Sequence, residues 1–242
     1  MQIRTHNLKQ DLMTVLTIAV FALVFQSCNM NEEFEYSTSC VKYYHLIEPS
    51  LMVKYDRSGG RDQNVKVIKV YARVAQTVTN LSEGEEKELF DKLCVEHGDV
   101  SFNRHFTLLG YSGFSCYYPD FSSINISCEQ DYDADHPAGS SLNDLFRIYC
   151  AALYNWVQNN YVRESDAHPD KRFLSLDKVT ENDIKMLAHM DSGWGMFWLL
   201  PVSLPDDLSE KCYHIDCRGI DGLMYSGTVN CDIDFASELN SF

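Results

Sequence analysis

Residues 211–231, KCYHIDCRGIDGLMYSGTVNC, decide the fold of this 242-residue chain because they have the pattern of a β-hairpin. On the first strand, Tyr213, Ile215 and Cys217 form one apolar face. The matching face of the second strand consists of Leu223, Tyr225, Val229, Cys231, Ile233 and Phe235. Such alternation is typical of strands that are buried on one side. The stretch therefore predicts antiparallel sheet packed on a core.

Two registers are open to this hairpin. A two-residue turn would place Cys212 opposite Cys231, a pairing that suggests a disulfide. A three-residue loop that ends at a left-handed Gly222 instead pairs Tyr213 with Val229. Because a slip of one residue moves every side chain to the other face, burial of the apolar faces favours the second register.

The rest of the chain is predicted to alternate strands with a few helices. Strands are expected over 40–47, 51–55, 65–74, 104–111, 123–128 and 197–204. Helices are expected over 82–98, 142–159 and 181–189. The first has a capping-box pattern at Ser82 and Glu85, and the second has an apolar stripe at helical spacing. Together these elements predict an α+β fold with an antiparallel β-sandwich-like core and two or three covering helices.

Composition excludes one class of partner. Lys and Arg number 20 against 35 Asp and Glu, which gives a formal net charge of -15. A surface that binds phosphates needs clustered basic charge. Nucleic acid is therefore not expected as a partner.

The first thirty residues have the pattern of an export signal. Arg4 and Lys9 precede an apolar stretch over 12–25, and Cys28 follows it. That stretch has the length of a signal-peptide core and is shorter than the roughly 20 residues that span a bilayer. The expected organisation is a lipoprotein signal peptide at 1–27, an acidic tether at 28–38 and a single globular domain at 39–242.

Two segments carry a resemblance to a known family. Residues 23–28, LVFQSC, resemble a bacterial lipobox, and acidic residues follow the cysteine. Residues 133–144, DADHPAGSSLND, are similar to a segment of uncharacterised outer-membrane lipoproteins of Bacteroidetes. The resemblance implies fatty acylation of Cys28, such as by palmitate, and location at the outer membrane on the cell surface. It implies no activity and no catalytic residue.

The cysteine count leaves two readings open. Nine cysteines are present, and lipidation of Cys28 leaves eight, an even number that fits disulfides in an exported protein. Alternatively, several are buried thiols that pack as small apolar side chains. Cys94 and Cys150 lie on predicted apolar helix faces, where burial is the simpler reading.

Metal chemistry has two candidate positions in the sequence. Asp131, Asp133 and Asp135 alternate in a loop and offer oxygen ligands for calcium, although the EF-hand spacing is not met. The alternative is an acidic loop that caps the following helix. On a strand, Cys212 and His214 would share a face. Asp216 shares it too, but Cys217 points the other way, so a site that includes Cys217 would need a break in the strand.

No motif of a known enzyme class is present: the chain contains no Gly-x-Ser-x-Gly elbow, no HExxH and no phosphate-binding loop. An aromatic platform for a sugar ring or a protein loop is a second hypothesis, and core packing is its alternative. The platform residues are Tyr117, Tyr118, Trp194 and Trp198. The sequence thus favours a lipid-anchored binding or accessory module with a glycan or envelope protein as partner. A purely structural envelope module and a hydrolase without a known motif are the rivals.

Overall fold

β-Strands dominate the computed structural model, which describes residues 36–56, 66–105, 113–162, 171–189 and 195–234. The strands are β1 Tyr36–Ser37, β2 Val41–Asp56, β3 Val67–Thr79, β4 Arg104–His105, β5 Phe114–Tyr118, β6 Phe121–Cys128, β7 Phe146–Ala151, β8 Lys171–Ser175, β9 Phe197–Pro201, β10 Lys211–Gly219 and β11 Met224–Cys231. The helices are α1 Gly84–His97 and α2 Tyr154–Gln158. Single 3-10 turns occupy Asn143–Leu145, Leu176–Lys178 and Glu181–Asp183. The α+β class expected from the sequence is confirmed at this level.

Most strands join one curled, mixed sheet in the order β6-β10-β11-β2-β3-β9-β7-β8, and β5 lies along β2. The contacts of β2 with β11 and with β5 are parallel, and the other pairings in this sheet are antiparallel. Strands β1 and β4 form a separate pair. The end of the segment expected to be a tether thus contributes a short strand.

One apolar cluster receives side chains from both ends of the sheet. Ile126 of β6 and Ile215 of β10 lie in the same cluster as Ile68 of β3, Ile148 of β7 and Leu199 of β9, and all five are buried. Because β6 and β7 lie far apart in the strand order, the sheet must curl around this core.

A second apolar cluster joins the helices to the sheet. Phe90 and Leu93 of α1 and Trp156 of α2 are buried with Val41 and Tyr44 of β2. Helix α1 ends where it was predicted to end, at a left-handed Gly98. The predicted capping box does not form, because Glu83 holds the N-cap position. No helix in the described ranges is long and apolar enough to cross a membrane.

The predicted register of the C-terminal hairpin is confirmed. Tyr213 lies opposite Val229, and Gly222 adopts the left-handed conformation with φ of 82°. Cys231 pairs with Lys211 instead of Cys212. Side chains of both strands enter the first cluster, so burial selected the register. Of the predicted inward face, Leu223 is instead 52% exposed ahead of β11, and Phe235 lies outside the described residues.

The predicted helix over 142–159 is wrong. Residues 146–151 form the strand β7 between β8 and β9, and only 154–158 are α-helical. Phe146, Ile148 and Cys150 point into the first cluster, whereas Arg147 and Tyr149 alternate with them. Since apolar residues occupy both faces, the stretch also satisfies a helical spacing, and sheet pairing decided the outcome.

The predicted helix over 181–189 is wrong beyond its first turn. The Asp183 carboxylate accepts hydrogen bonds from the backbone N–H and the hydroxyl of Thr180, as a cap should. The chain then leaves the turn, and Leu187 and Ala188 form isolated bridges with Ala152 and Cys116. Pairing with the strands thus replaces further helical turns.

No disulfide joins the eight cysteines that lie in the described ranges. Seven are buried, and Cys212 is half-buried. The bridges suggested by cysteine parity are therefore not formed among these residues. Burial raises the pKa of the Cys94 thiol to about 12, with Asp99 adding to the effect. The alternative reading, small apolar packing, accounts for the seven buried side chains.

Candidate functional site

One mixed-ligand cluster lies on the outer face of the sheet. Cys212 and His214 are two residues apart on β10, so their side chains share a face. Glu129 directly follows β6, and its N–H donates to the carbonyl of Cys212 at 3.0 Å. The His214 Nε2 atom lies 2.9 Å from Oε1 of Glu129 and 3.9 Å from Sγ of Cys212. All three ligand atoms lie within 4.8 Å of one another.

Neighbouring groups hold Cys212 in place. The Gln130 side-chain oxygen accepts the N–H of Cys212 at 2.9 Å and also accepts the Cys128 thiol at 3.5 Å. Partial burial, followed by the charge of Glu129, raises the pKa of the Cys212 thiol. In the described ranges this is the only group of three His, Cys, Asp or Glu side chains with converging ligand atoms.

The acidic loop expected to bind calcium does not bring Asp131, Asp133 and Asp135 together. One Asp133 oxygen accepts the N–H groups of Asp135 and His136 at 2.9 and 2.8 Å. The carboxylate of Asp131 accepts the N–H of Ala138 at 2.8 Å. Two of the three carboxylates thus stabilise their own loop. The alternative reading, a cap on the following helix, does not apply, because residues 146–151 form β7.

A groove of about 470 Å³ lies beside this loop. Asp131, Asp133, Asp206 and Asp207 line it together with the nearly buried Lys211. The pKa of Asp133 is lowered chiefly by His136, and hydrogen bonds from Ser209 lower the pKa of Asp207. Glycoside hydrolysis needs one carboxylic acid with a raised pKa. Neither of these two carboxyls has that property.

Of the four aromatic residues expected at a platform, Tyr117 is core. It is 5% exposed, and its hydroxyl lies 2.6 Å from Nδ1 of His189. Tyr118 is half-buried, and burial raises its pKa. Trp194 lies outside the described residues, as does the expected lipidation site, Cys28.

Trp198 belongs to an aromatic row that crosses the sheet. Its ring lies 5.3 Å from that of Tyr149 on β7, which stacks on Phe173 of β8 at 4.3 Å. Backbone pairing places the three residues side by side on adjacent strands, with Lys69 of β3 next in line. The Lys69 ammonium lies 4.9 Å from the Trp198 ring centre and contacts Asp56 at 2.5 Å. Phe173 is 37% exposed at the edge of the sheet.

A buried His–Asp pair has residue types that many active sites use, but solvent does not reach it. The His97 Nε2 atom lies 2.7 Å from Oδ2 of Asp120, and Nδ1 lies 3.1 Å from the Tyr44 hydroxyl. Both the histidine and the aspartate side chains are 0% exposed. The second Asp120 oxygen accepts the N–H of Met186 at 2.7 Å. The pair therefore connects the end of α1 to β2 and to the segment after β5.

Sequence reasoning missed three residues of these sites. Glu129 was not linked to Cys212 because the pairing of β6 with β10 joins distant parts of the chain. Tyr149 was assigned to a helix, and Phe173 was left in a connection. The β-prone stretch 171–175, KRFLS, was the signal for the last of these.

Comparisons with protein-family models, with curated proteins and with solved structures found no match. The chemistry of each site must therefore come from its own geometry.

Proposed function

We propose that this chain is a lipid-anchored protein of the outer membrane whose body, residues 39–242, is a binding module on the cell surface. The observation that carries the proposal is Cys28, which stands three residues after an apolar stretch of signal-peptide length. Acyl chains on this residue anchor the body, because each buried methylene contributes about 0.8 kcal/mol. Residues 1–27 are removed, and residues 28–38 connect the anchor to the body, with Tyr36 and Ser37 paired with β4.

A binding role is favoured over hydrolysis by the described side chains. The His97–Asp120 pair is sealed from solvent. In the groove, His136 lowers the pKa of Asp133, and hydrogen bonds from Ser209 lower the pKa of Asp207. The body acts as a β-sandwich-like scaffold, in which the two halves of the curled sheet serve as the layers. The shared apolar core supports this arrangement.

The experiment that tests the anchor compares the wild-type chain with Cys28→Ala in cells given an alkyne-tagged palmitate. We expect label and membrane retention in the wild type and loss of both in the variant. Cys212→Ala is the matched control, because it removes a half-buried thiol elsewhere and should keep the label. Label that persists in Cys28→Ala, or a soluble wild-type protein that retains residues 1–27, contradicts the anchor. Protease treatment of intact cells should remove the body, and full protection would place it on the inner side.

The ligand of the body is a glycan, and the aromatic row of Trp198, Tyr149 and Phe173 supports this assignment. Phe173, which is 37% exposed, offers a flat ring for a sugar face at low entropic cost. Tyr149 and Trp198 pack against the second cluster and support this ring from behind the row, and Lys69 adds a hydrogen-bond donor beside them. Dextran and polygalacturonate serve as neutral and acidic probes in affinity electrophoresis. Phe173→Ala should weaken retention by about tenfold, as loss of an aromatic anchor does.

Met224→Ala is the matched control for the glycan test, since it removes another exposed apolar side chain on a different strand. It should leave retention unchanged. If neither polysaccharide slows the wild-type chain, or both variants behave alike, the glycan assignment fails. The structural envelope module would then be the better description.

A further inference from the structure

We propose that Glu129, Cys212 and His214 bind a divalent transition metal ion of the zinc class. The three residues combine a carboxylate oxygen, a thiol sulfur and an imidazole nitrogen, which are the three protein ligand types of zinc. Cys212 and His214 lie on β10, and Glu129 directly follows the neighbouring strand β6 and donates its N–H to the Cys212 carbonyl, so the backbone holds their relative positions. This site is separate from the aromatic row and does not depend on the proposed glycan binding.

Two of the three distances between the ligand atoms are close to those around a tetrahedral ion. Zinc lies about 2.0–2.3 Å from such ligands, so their mutual separations in a tetrahedron are about 3.3–3.6 Å. The observed separations are 2.9 Å between His214 Nε2 and Glu129 Oε1 and 3.9 Å between His214 Nε2 and Cys212 Sγ. Side-chain movements of about 0.5 Å bring these two separations to the tetrahedral values. The Glu129 oxygen and Cys212 Sγ lie within 4.8 Å of each other.

The ligand set selects the class of metal. Thiolate and imidazole ligands favour zinc, cobalt and copper over calcium and magnesium, which prefer oxygen alone. The Cys212 thiol gives its proton to the buffer as the metal–sulfur bond forms. The formal charge of -15 on the chain favours the approach of any cation.

Three protein ligands leave one coordination position open. The side chains of Glu129 and His214 are 54% and 35% exposed, so water reaches the site. An open fourth position is typical of zinc sites that bind an exchangeable ligand, whereas structural sites are closed by four protein ligands. We therefore assign the fourth position to water or to an anionic ligand that displaces it.

Cobalt(II) provides a spectroscopic test, because a cobalt–thiolate bond gives a charge-transfer absorption band. The full chain, purified in detergent and kept reduced, is titrated with cobalt chloride. We expect the band to saturate at one equivalent and zinc to abolish it by displacement. Zinc should also protect Cys212 from iodoacetamide, as measured by peptide mass spectrometry.

Variants separate this site from adventitious binding. Cys212→Ser should abolish the band. His214→Ala and Glu129→Gln should weaken affinity by about 100-fold, since loss of a residue that only orients a ligand already costs 10–100-fold. Asp216→Asn is the matched control, because it lies on the same strand and face, and it should bind as the wild type does. No band in the wild type, or a wild-type band in Cys212→Ser, overturns the proposal. Unchanged circular dichroism verifies that the variants fold.

Discussion

Asp99 is a buried carboxylate that organises the start of the long strand β2. Its two oxygens accept the backbone N–H groups of Cys40 and Val41 at 2.8 and 3.0 Å, and one of them also accepts the Tyr161 hydroxyl at 2.8 Å. Asp99 is 0% exposed. These bonds replace the water that a buried carboxylate would otherwise need.

Asp99→Ala should therefore destabilise the chain strongly. The change leaves three buried donors without their acceptor, and each unsatisfied group costs about 1–3 kcal/mol. We expect the free energy of unfolding in urea to fall by about 3 kcal/mol or more. Asp99→Asn keeps one acceptor oxygen and should lose less. Equal stability of the wild type and the alanine variant would contradict the role assigned to Asp99.

His136 provides a test of pH dependence. Asp133 at 2.7 Å from Nδ1, assisted by Asp144 at 3.1 Å from Nε2, raises the pKa of His136. The folded chain thus favours the charged imidazole. Its contribution to stability is complete below the unfolded-state pKa of about 6.5 and is lost as the pH rises through the higher folded-state pKa.

NMR titration should show this shift directly. We expect a His136 pKa above about 6.5 in the wild type and a lower value in Asp133→Asn, since that variant removes the nearest charge. Asp135→Asn, also in the acidic loop, should leave the pKa nearly unchanged. A His136 pKa that does not respond to Asp133→Asn would rule out the ion pair as its cause.

Strand β7 shows why a periodic pattern can mislead. Its inward residues are 0% exposed in the first cluster, while Tyr149 on the other face packs against the second. A strand that is apolar on both sides carries no alternation, so helical and extended readings compete. This stretch forms a strand because β7 pairs with β8 on one edge and with β9 on the other.

Ile148 distinguishes the two readings by experiment. In the predicted helix it lies outside the apolar stripe, whereas in β7 it is 0% exposed. Ile148→Ala should cost about 2–5 kcal/mol of unfolding free energy. Arg147→Ala, on the half-buried face, should cost much less. A tolerated Ile148→Lys, assessed by thermal unfolding, would favour the helix.

Local patterns in the sequence were sufficient to predict the hairpin β10–β11 and the end of α1. Alternation of apolar residues defines the first and Gly98 defines the second, and each acts over a few residues. The metal-ligand cluster was only half predictable. Cys212 and His214 follow from strand spacing, but Glu129 depends on the register of β6 against β10. That register depends on contacts about 80 residues apart in the chain, which no local pattern carries.

At the scale of the whole molecule, the described residues pack around two apolar clusters that share strands. Strand β2 places Ile47 and Leu51 in the first cluster and Val41 and Tyr44 in the second. When one half of a strand loses its packing, keeping the other half ordered becomes costly. The two clusters should therefore unfold together, in a single cooperative transition.

Leu93→Ala and Ile126→Ala test this coupling from opposite clusters. Both side chains are 0% exposed, so each change should lower the unfolding free energy by about 2–5 kcal/mol. Far-UV circular dichroism follows the sheet, and tryptophan fluorescence includes Trp156 of the second cluster. Within each protein, wild type or variant, we expect the two signals to have the same midpoint in urea. The reason is that the shared strands couple the loss of packing in one cluster to the entire sheet. A fluorescence midpoint that shifts alone in Leu93→Ala would show that the second cluster unfolds independently.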